Sequence, residues 1–235
     1  MIEIVSATRL PQADFFNRAA LGVSLQRLLP APRVAQAGID DSRRVAAYIA
    51  FENRRGLPHI YNERITAEET DAILVFVHDD VWLEDFFLAH RLLDALKTYD
   101  VVGVAGNRRR LENQCAWAYV DDKFTQDDHA NLSGLVAHGL TPFGKVTFFG
   151  ETPAQCELLD GVFLAARRSV LRAANVLFDP RFDFHFYDLD FCRTARQNGL
   201  RLGTWPISIT HQSYGSAKND HWRQKREAYL EKWKS

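Results

Sequence analysis

The stretch ILVFVHDDVWLEDFF, Ile73 to Phe87, drives five consecutive apolar residues straight into His78, Asp79 and Asp80. The apolar run reads as a buried strand, Ala72 to Val77. Adjacent carboxylates at its end repel one another and lose part of their hydration, so they require a metal ion, an arginine or the solvent of a surface turn. In open α/β sheets the ligand crevice lies beyond the carboxyl ends of the strands, which is where these three residues fall.

Outward from this strand, Ile2–Ala7 and Val45–Phe51 read as two more strands, and QADFFNRAALGVSLQRLL between them carries Phe16, Ala20 and Val23 at helical spacing. Gly56–Ile65 reads as a helix that tolerates Pro58 in its first turn. WLEDFFLAHRLLDALKTY, Trp82 to Tyr99, has the clearest helical pattern in the chain. DVVGVAGNRRR is a strand and turn, and residues 111–145 form a long polar loop with one hairpin. ELLDGVFLAARRSVL is a strand turning into a helix, YDLDFCRTARQNG a helix ended by Gly199, and WPISITH a strand. DHWRQKREAYLEKWK closes the sequence as an amphipathic helix. The alternation predicts one α/β domain over residues 1–235, with a mostly parallel central sheet flanked by helices and a C-terminal amphipathic helix.

The 235 residues carry a formal net charge of -1, which gives no global electrostatic case for a nucleic-acid partner. Cys115, Cys156 and Cys192 are odd in number and lack a C-x-x-C pair, which speaks against a disulfide framework or a cysteine zinc site. There is no basic leader and no apolar run near the ~20 residues that span a bilayer, so the expected location is the cytoplasm.

A hard divalent cation, Mg2+ or Mn2+, would neutralise Asp79 and Asp80 while sharing the phosphate oxygens of a substrate; a solvated turn or helix cap is the plain alternative. Asp188 and Asp190 open a helix, where both gain from its N-terminal dipole, but residues two apart diverge by about 200° and cannot aim at one point. Asp160-Gly161 is either a tight strand entry or a place where backbone approaches a ligand. Arg108, Arg109 and Arg110 can hold a diphosphate or a charged acceptor, with a solvated turn as the default.

In this order, VHDD, LLDGVFLAARRSVL, FDPRFDFHFYDLDFCRTARQNGLRLG and ITHQSYGS resemble the family 2 glycosyltransferases of the GT-A fold, a Rossmann-like architecture. The resemblance implies that Asp80 is the last carboxylate of an Asp-x-Asp motif and holds the metal at the donor diphosphate, with His211 completing the metal site. His78 stands at the normally acidic first position, and Asp79 falls near the nucleotide sugar. Asp188 is the general base, Tyr187 replaces the Glu of the family's Glu-Asp pair, and Asp160 and Gly161 face the donor sugar. His185, Tyr187 and Asp190 are candidates for acceptor contacts, although Asp190 also suits holding the helix start or an arginine.

The same resemblance implies an inverting, metal-dependent transfer from a nucleoside-diphosphate sugar to a hydroxyl of a glycan or lipid-linked glycan, in polysaccharide or glycoconjugate biosynthesis. Residues 1–110 form the nucleotide-binding half; residues 111–235 form the acceptor-binding half and C-terminal helix. Trp222, Tyr229 and Trp233 share one face of that helix, for packing on the body or for peripheral contact at the inner face of a membrane. The departures at His78 and Tyr187 leave a rival, a non-catalytic nucleotide-sugar or glycan-binding module. A sugar nucleotidyltransferase would want a glycine-rich phosphate loop after the first strand, and IVSATRLPQADFF has no glycine.

Overall fold

The apolar run Ile73–Val77 is buried at every position and occupies an interior place in a seven-stranded sheet. A computed structural model describes residues 1–29, 44–213 and 219–234, so the end of ITHQSYGS, residues 214–216, lies outside the described residues. The first half runs β1 (Ile2–Ala7), α1 (Gln12–Arg18), α2 (Ala20–Leu28), β2 (Val45–Ala50), α3 (Leu57–Thr66), β3 (Ile73–Val77), β4 (Val81–Leu83), α4 (Leu88–Thr98), β5 (Val101–Gly103) and β6 (Ala105–Asn107). The second half runs β7 (Leu132–His138), β8 (Lys145–Gly150), β9 (Ala154–Cys156), β10 (Leu158–Leu159), β11 (Phe163–Arg167), α5 (Arg168–Ala173), α6 (Tyr187–Gln197), β12 (Leu202–Thr204), β13 (Ile209–His211) and α7 (Asp220–Lys232).

The α/β architecture is the expected one, and both of its sheets are mixed. In the larger sheet, ordered β2-β1-β3-β11-β5-β12-β9, the parallel winding is confined to β2-β1-β3 and the β5-β12 pair. Strand β11 lies antiparallel between β3 and β5 because its chain turns, at Asp160-Gly161, on the edge where β3 ends. Antiparallel pairing sets the start of one strand beside the end of its neighbour. Here it brings Val162 next to His78, whose amide donates to the Val162 carbonyl at 3.3 Å.

The segment Trp82–Tyr99 differs from its helical expectation. Val81, Trp82 and Leu83 extend as β4 and pair with His211, Thr210 and Ile209 of β13, in a smaller sheet ordered β10-β6-β7-β13-β4 with β8 added on β7. β-branched and aromatic side chains suit a strand, and pairing with a distant partner overrides the helical period. The helix starts after a turn in which the Asp85 carboxylate accepts from the Phe87 amide at 2.8 Å. The hairpin, β7 with β8, starts within the 111–145 stretch but its second strand begins only at Lys145 and runs past it to Gly150.

Helix α7 lays its aromatic face against the body. Trp222 and Tyr229 are buried against Phe186, and the Trp233 indole donates to Asp190 in α6 at 2.8 Å. Among the described residues, no helix is long and apolar enough to cross a membrane.

Under the larger sheet, the Arg168 guanidinium is 1 % exposed and donates to Glu3 at 2.8 Å and to the carbonyls of Arg64 and Thr70 at 2.8 and 2.7 Å. Arg64 also binds Glu3. Arg168→Ala would leave two carbonyls unpaired and Glu3 with one cation. Breaking a buried ionic group from one side costs about 3–5 kcal/mol, so the urea midpoint is expected to fall by that equivalent.

Candidate active site

Three strand ends converge on one place. His78, Asp79 and Asp80 fill the link between β3 and β4, and β13 ends beside it because His211 pairs with Val81. The Gln212 amide then donates to the Asp80 carbonyl at 3.0 Å, which locks the two segments together. His211 Nε2 lies 3.3 Å from Asp80 Oδ2. His78, Asp80 and His211 each offer one ligand atom, all within 4.8 Å of one another.

Asp80 Oδ1 is buried with no hydrogen-bond partner among the described residues. A buried carboxylate oxygen without a donor is costly, and a cation between the three side chains would satisfy it. The donor set therefore fits a divalent metal. Burial opposes the charge on Asp80, but its hydrogen bond and attraction to His211 hold its carboxyl below the ordinary range. Burial likewise opposes a charged His211, and Asp80 lifts that imidazole above its ordinary range. His78 is pulled down by burial despite the nearby carboxylates, which favours a neutral ring. Burial raises Asp79, against a hydrogen bond from Thr8.

Asp188 approaches from the start of α6. Phe186, just before this helix, adopts a left-handed backbone at φ 66°, a conformation that non-glycine residues enter at a cost and that turns the chain sharply into the first turn. The Gly161 amide donates to Asp188 Oδ2 at 3.1 Å. A Cβ on Gly161 would stand 2.3 Å from the Tyr187 hydroxyl and 2.8 Å from the Asp188 Cβ, so only glycine allows this approach. Burial raises the Asp188 carboxyl to about 6, helped by the charge of Asp160 and restrained by backbone amides. Asp160 Oδ1 accepts from the Val162 amide at 3.0 Å and closes the turn.

Two cavities meet at this cluster. One, of about 630 Å³, is lined by Thr8, Arg9, Asn53, Arg54, Arg55 and Asp79 together with His78 and Asp80. The other, of about 600 Å³, is lined by Asp160, Gly161, Asp188, His138 and His211, and by the aromatic rings of Trp117, Tyr119, Phe124 and Trp222. His78, Asp80, Phe184 and His185 border both. Phe184 is 47 % exposed and stacks near the His78 ring with centroids 6.0 Å apart.

The family model described as Glycosyltransferase like family matches residues 45–233. The chain belongs to this glycosyltransferase-like family. No curated protein matches it. Among solved structures, it is similar to GalNAc-T7 crystallised with UDP, GalNAc and Mn2+, at 10 % identity and a TM-score of 0.53. That superposition covers 96 % of this chain and 47 % of the GalNAc-T7 chain, so the chain spans about half the length of that structure. It also matches A197 from STIV at 12 % identity and a TM-score of 0.42, over 94 % of this chain and 99 % of that one. The GalNAc-T7 likeness supports the GT-A fold.

Within this glycosyltransferase-like domain, His78, Asp79, Asp80, Asp160, Gly161, His185, Tyr187, Asp188 and His211 all border the paired cavities. Asp190 does not join them. It is fully buried on the opposite side of α6, where it accepts from Trp233 and pairs with Lys232 at 2.7 Å, so its partner is a lysine of α7. Arg108, Arg109 and Arg110 line neither cavity, and Arg109 instead donates to Asp127. Sequence reasoning passed over Arg9, Arg54 and Arg55. They follow the ends of β1 and β2 on the same carboxyl edge as His78, so the rule that located the aspartates also reaches them. Arg9 and Arg54 have no carboxylate partner among the described residues, whereas Arg55 pairs with Glu63 at 2.5 Å.

Proposed function

We propose that the protein is an inverting, metal-dependent glycosyltransferase that moves a sugar from a nucleoside diphosphate to a hydroxyl of a glycan acceptor. The observation that carries this reading is the position of Asp188, a carboxyl raised to about 6, across a shared cleft from His78, Asp80 and His211. Such a value suits a general base near neutral pH, where it is ionised yet still basic enough to take a proton.

The donor belongs in the arginine-bearing cavity, whose lining includes Arg9 and Arg54, neither of them ion-paired to a carboxylate among the described residues. The acceptor belongs in the aromatic cavity, where Trp117, Tyr119 and Phe124 offer apolar rings to a sugar. Donor-side lining comes mainly from residues before 110 and acceptor-side lining from residues after 111, which supports a nucleotide-binding half and an acceptor-binding half. A cation held by Asp80, His211 and His78 would supply positive charge to the departing diphosphate. Two imidazoles and one carboxylate favour Mn2+ over Mg2+, which prefers oxygen ligands.

Asp188 takes the hydroxyl proton as the acceptor oxygen bonds to the sugar C1. The C1–O bond to the diphosphate breaks, its electron pair leaves with the diphosphate, and attack from the opposite face inverts C1. The lipid-linked form of the acceptor, a place in polysaccharide biosynthesis and a cytoplasmic location extend the same reading.

A thermal-shift panel of nucleoside diphosphates and nucleotide sugars, with and without Mn2+, tests it. Ligand at one hundred times its Kd stabilises by about 2.7 kcal/mol, or about 5–10 °C for a chain of this size. The shift is expected for one nucleotide class and only with Mn2+. Equal melting temperatures across the panel would remove the donor assignment.

A further inference from the structure

His78 and Tyr187 stand where the resemblance expects acids, and they touch across the cleft: His78 Nε2 is 2.7 Å from the Tyr187 hydroxyl oxygen. That hydroxyl also lies 2.8 Å from the Gly161 carbonyl oxygen. A carbonyl only accepts, and a phenol has one proton, so the phenol proton goes to Gly161 and the imidazole supplies the proton of the other bond. The reverse assignment would take from the Gly161 carbonyl, beside a buried ring, the hydrogen bond that the phenol gives it. The ring is thereby held with hydrogen on Nε2 and a lone pair on Nδ1.

We propose that Tyr187 is a positioning residue that fixes His78 in its Nε2–H tautomer and so leaves Nδ1 as the ring nitrogen with which His78 would join Asp80 and His211 around a divalent cation. This rests on the metal-dependent reading above. Ligating imidazoles commonly donate their second ring N–H to a neighbouring acceptor, which sets the tautomer and the ring orientation, and loss of such a partner weakens metal binding about 10- to 100-fold. The Tyr187 ring is wedged beside Tyr61 and Phe178, so its hydroxyl is a rigid acceptor. A neutral nitrogen at the first motif position leaves Asp80 as the one carboxylate of the set.

Two measurements test this. In the metal-free protein, long-range 15N–1H spectra of the His78 ring are expected to report the Nε2–H tautomer, and in Tyr187→Phe a mixture of both. By calorimetry, Tyr187→Phe is expected to raise the Mn2+ Kd about 10- to 100-fold. His78→Asn and His78→Gln provide a separate arm if the phenylalanine variant folds poorly. Asn places an acceptor oxygen near the position of Nδ1, and Gln near that of Nε2, so His78→Asn is expected to keep more Mn2+ affinity. Mn2+ binding by a wild-type protein whose His78 carries its hydrogen on Nδ1, or stronger Mn2+ binding by His78→Gln than by His78→Asn, overturns this inference alone. A wild-type Nε2–H tautomer without any Mn2+ binding overturns the metal-dependent reading, and with it the ligand role of Nδ1.

Discussion

Asp188→Asn is expected to lower sugar transfer by about 10²- to 10⁴-fold, the range associated with loss of a positioned general base, while donor affinity changes little. The amide keeps an oxygen for the Gly161 amide, so the turn at α6 should hold; what it loses is the capacity to take a proton. A module that only binds nucleotide sugar has no turnover to lose, so no activity in either protein alongside donor binding would favour that rival, whereas equal, measurable activity in both would remove Asp188 as the base. Stability should move the other way. The folded carboxyl titrates near 6, above the ordinary Asp value of 3.8. Between those pH values the folded state therefore binds more protons than the unfolded one, and stability falls as pH rises through that window and stays lost above it. Asp188→Asn removes this penalty, so its melting temperature should exceed that of the wild type at pH 8 and approach it at pH 4. A wild-type advantage at pH 8 would mean that Asp188 is a favourable, well-solvated ion rather than a strained one.

The parts of the site that lie at the ends of strongly patterned elements were legible in the sequence. An apolar strand running into His78, Asp79 and Asp80, a strand ending in His211 and a helix opening on Asp188 are local signals. The structure brings those three regions to one cleft. What was not legible depends on contacts between distant segments. Val81–Leu83 follows its pairing with β13 rather than its helical period, and β11 runs backward because of where its turn is anchored. Asp190 looks equivalent to Asp188 in sequence, yet the 200° between them sends it into α7 and Lys232. The aromatic wall from Trp117 to Phe124 sits in a segment without periodicity, where local pattern gives no direction for any side chain.

Asp80→Asn is expected to weaken Mn2+ binding about 10²- to 10³-fold and to abolish the Mn2+-dependent thermal shift with nucleotide sugar. The reasoning is electrostatic. Asp80 is the single carboxylate of the His78–Asp80–His211 set, and even a unit charge pair about 4 Å apart at an effective dielectric near 20 interacts by about 4 kcal/mol, which is about three decades in affinity; the second charge of Mn2+ adds to this before screening. Partial exposure of the Asp80 side chain, at 33 %, lets solvent screen that attraction and puts the lower figure in range. The variant separates two kinds of loss, because Asp188→Asn should bind Mn2+ and donor yet turn over slowly, whereas Asp80→Asn should fail before chemistry begins. Calorimetry that returns the wild-type Mn2+ affinity for Asp80→Asn would remove Asp80 from the metal set. The unpartnered Oδ1 would then need another cation, and Arg9 and Arg54, which line the same cavity as Asp80 and have no carboxylate partner among the described residues, are candidates.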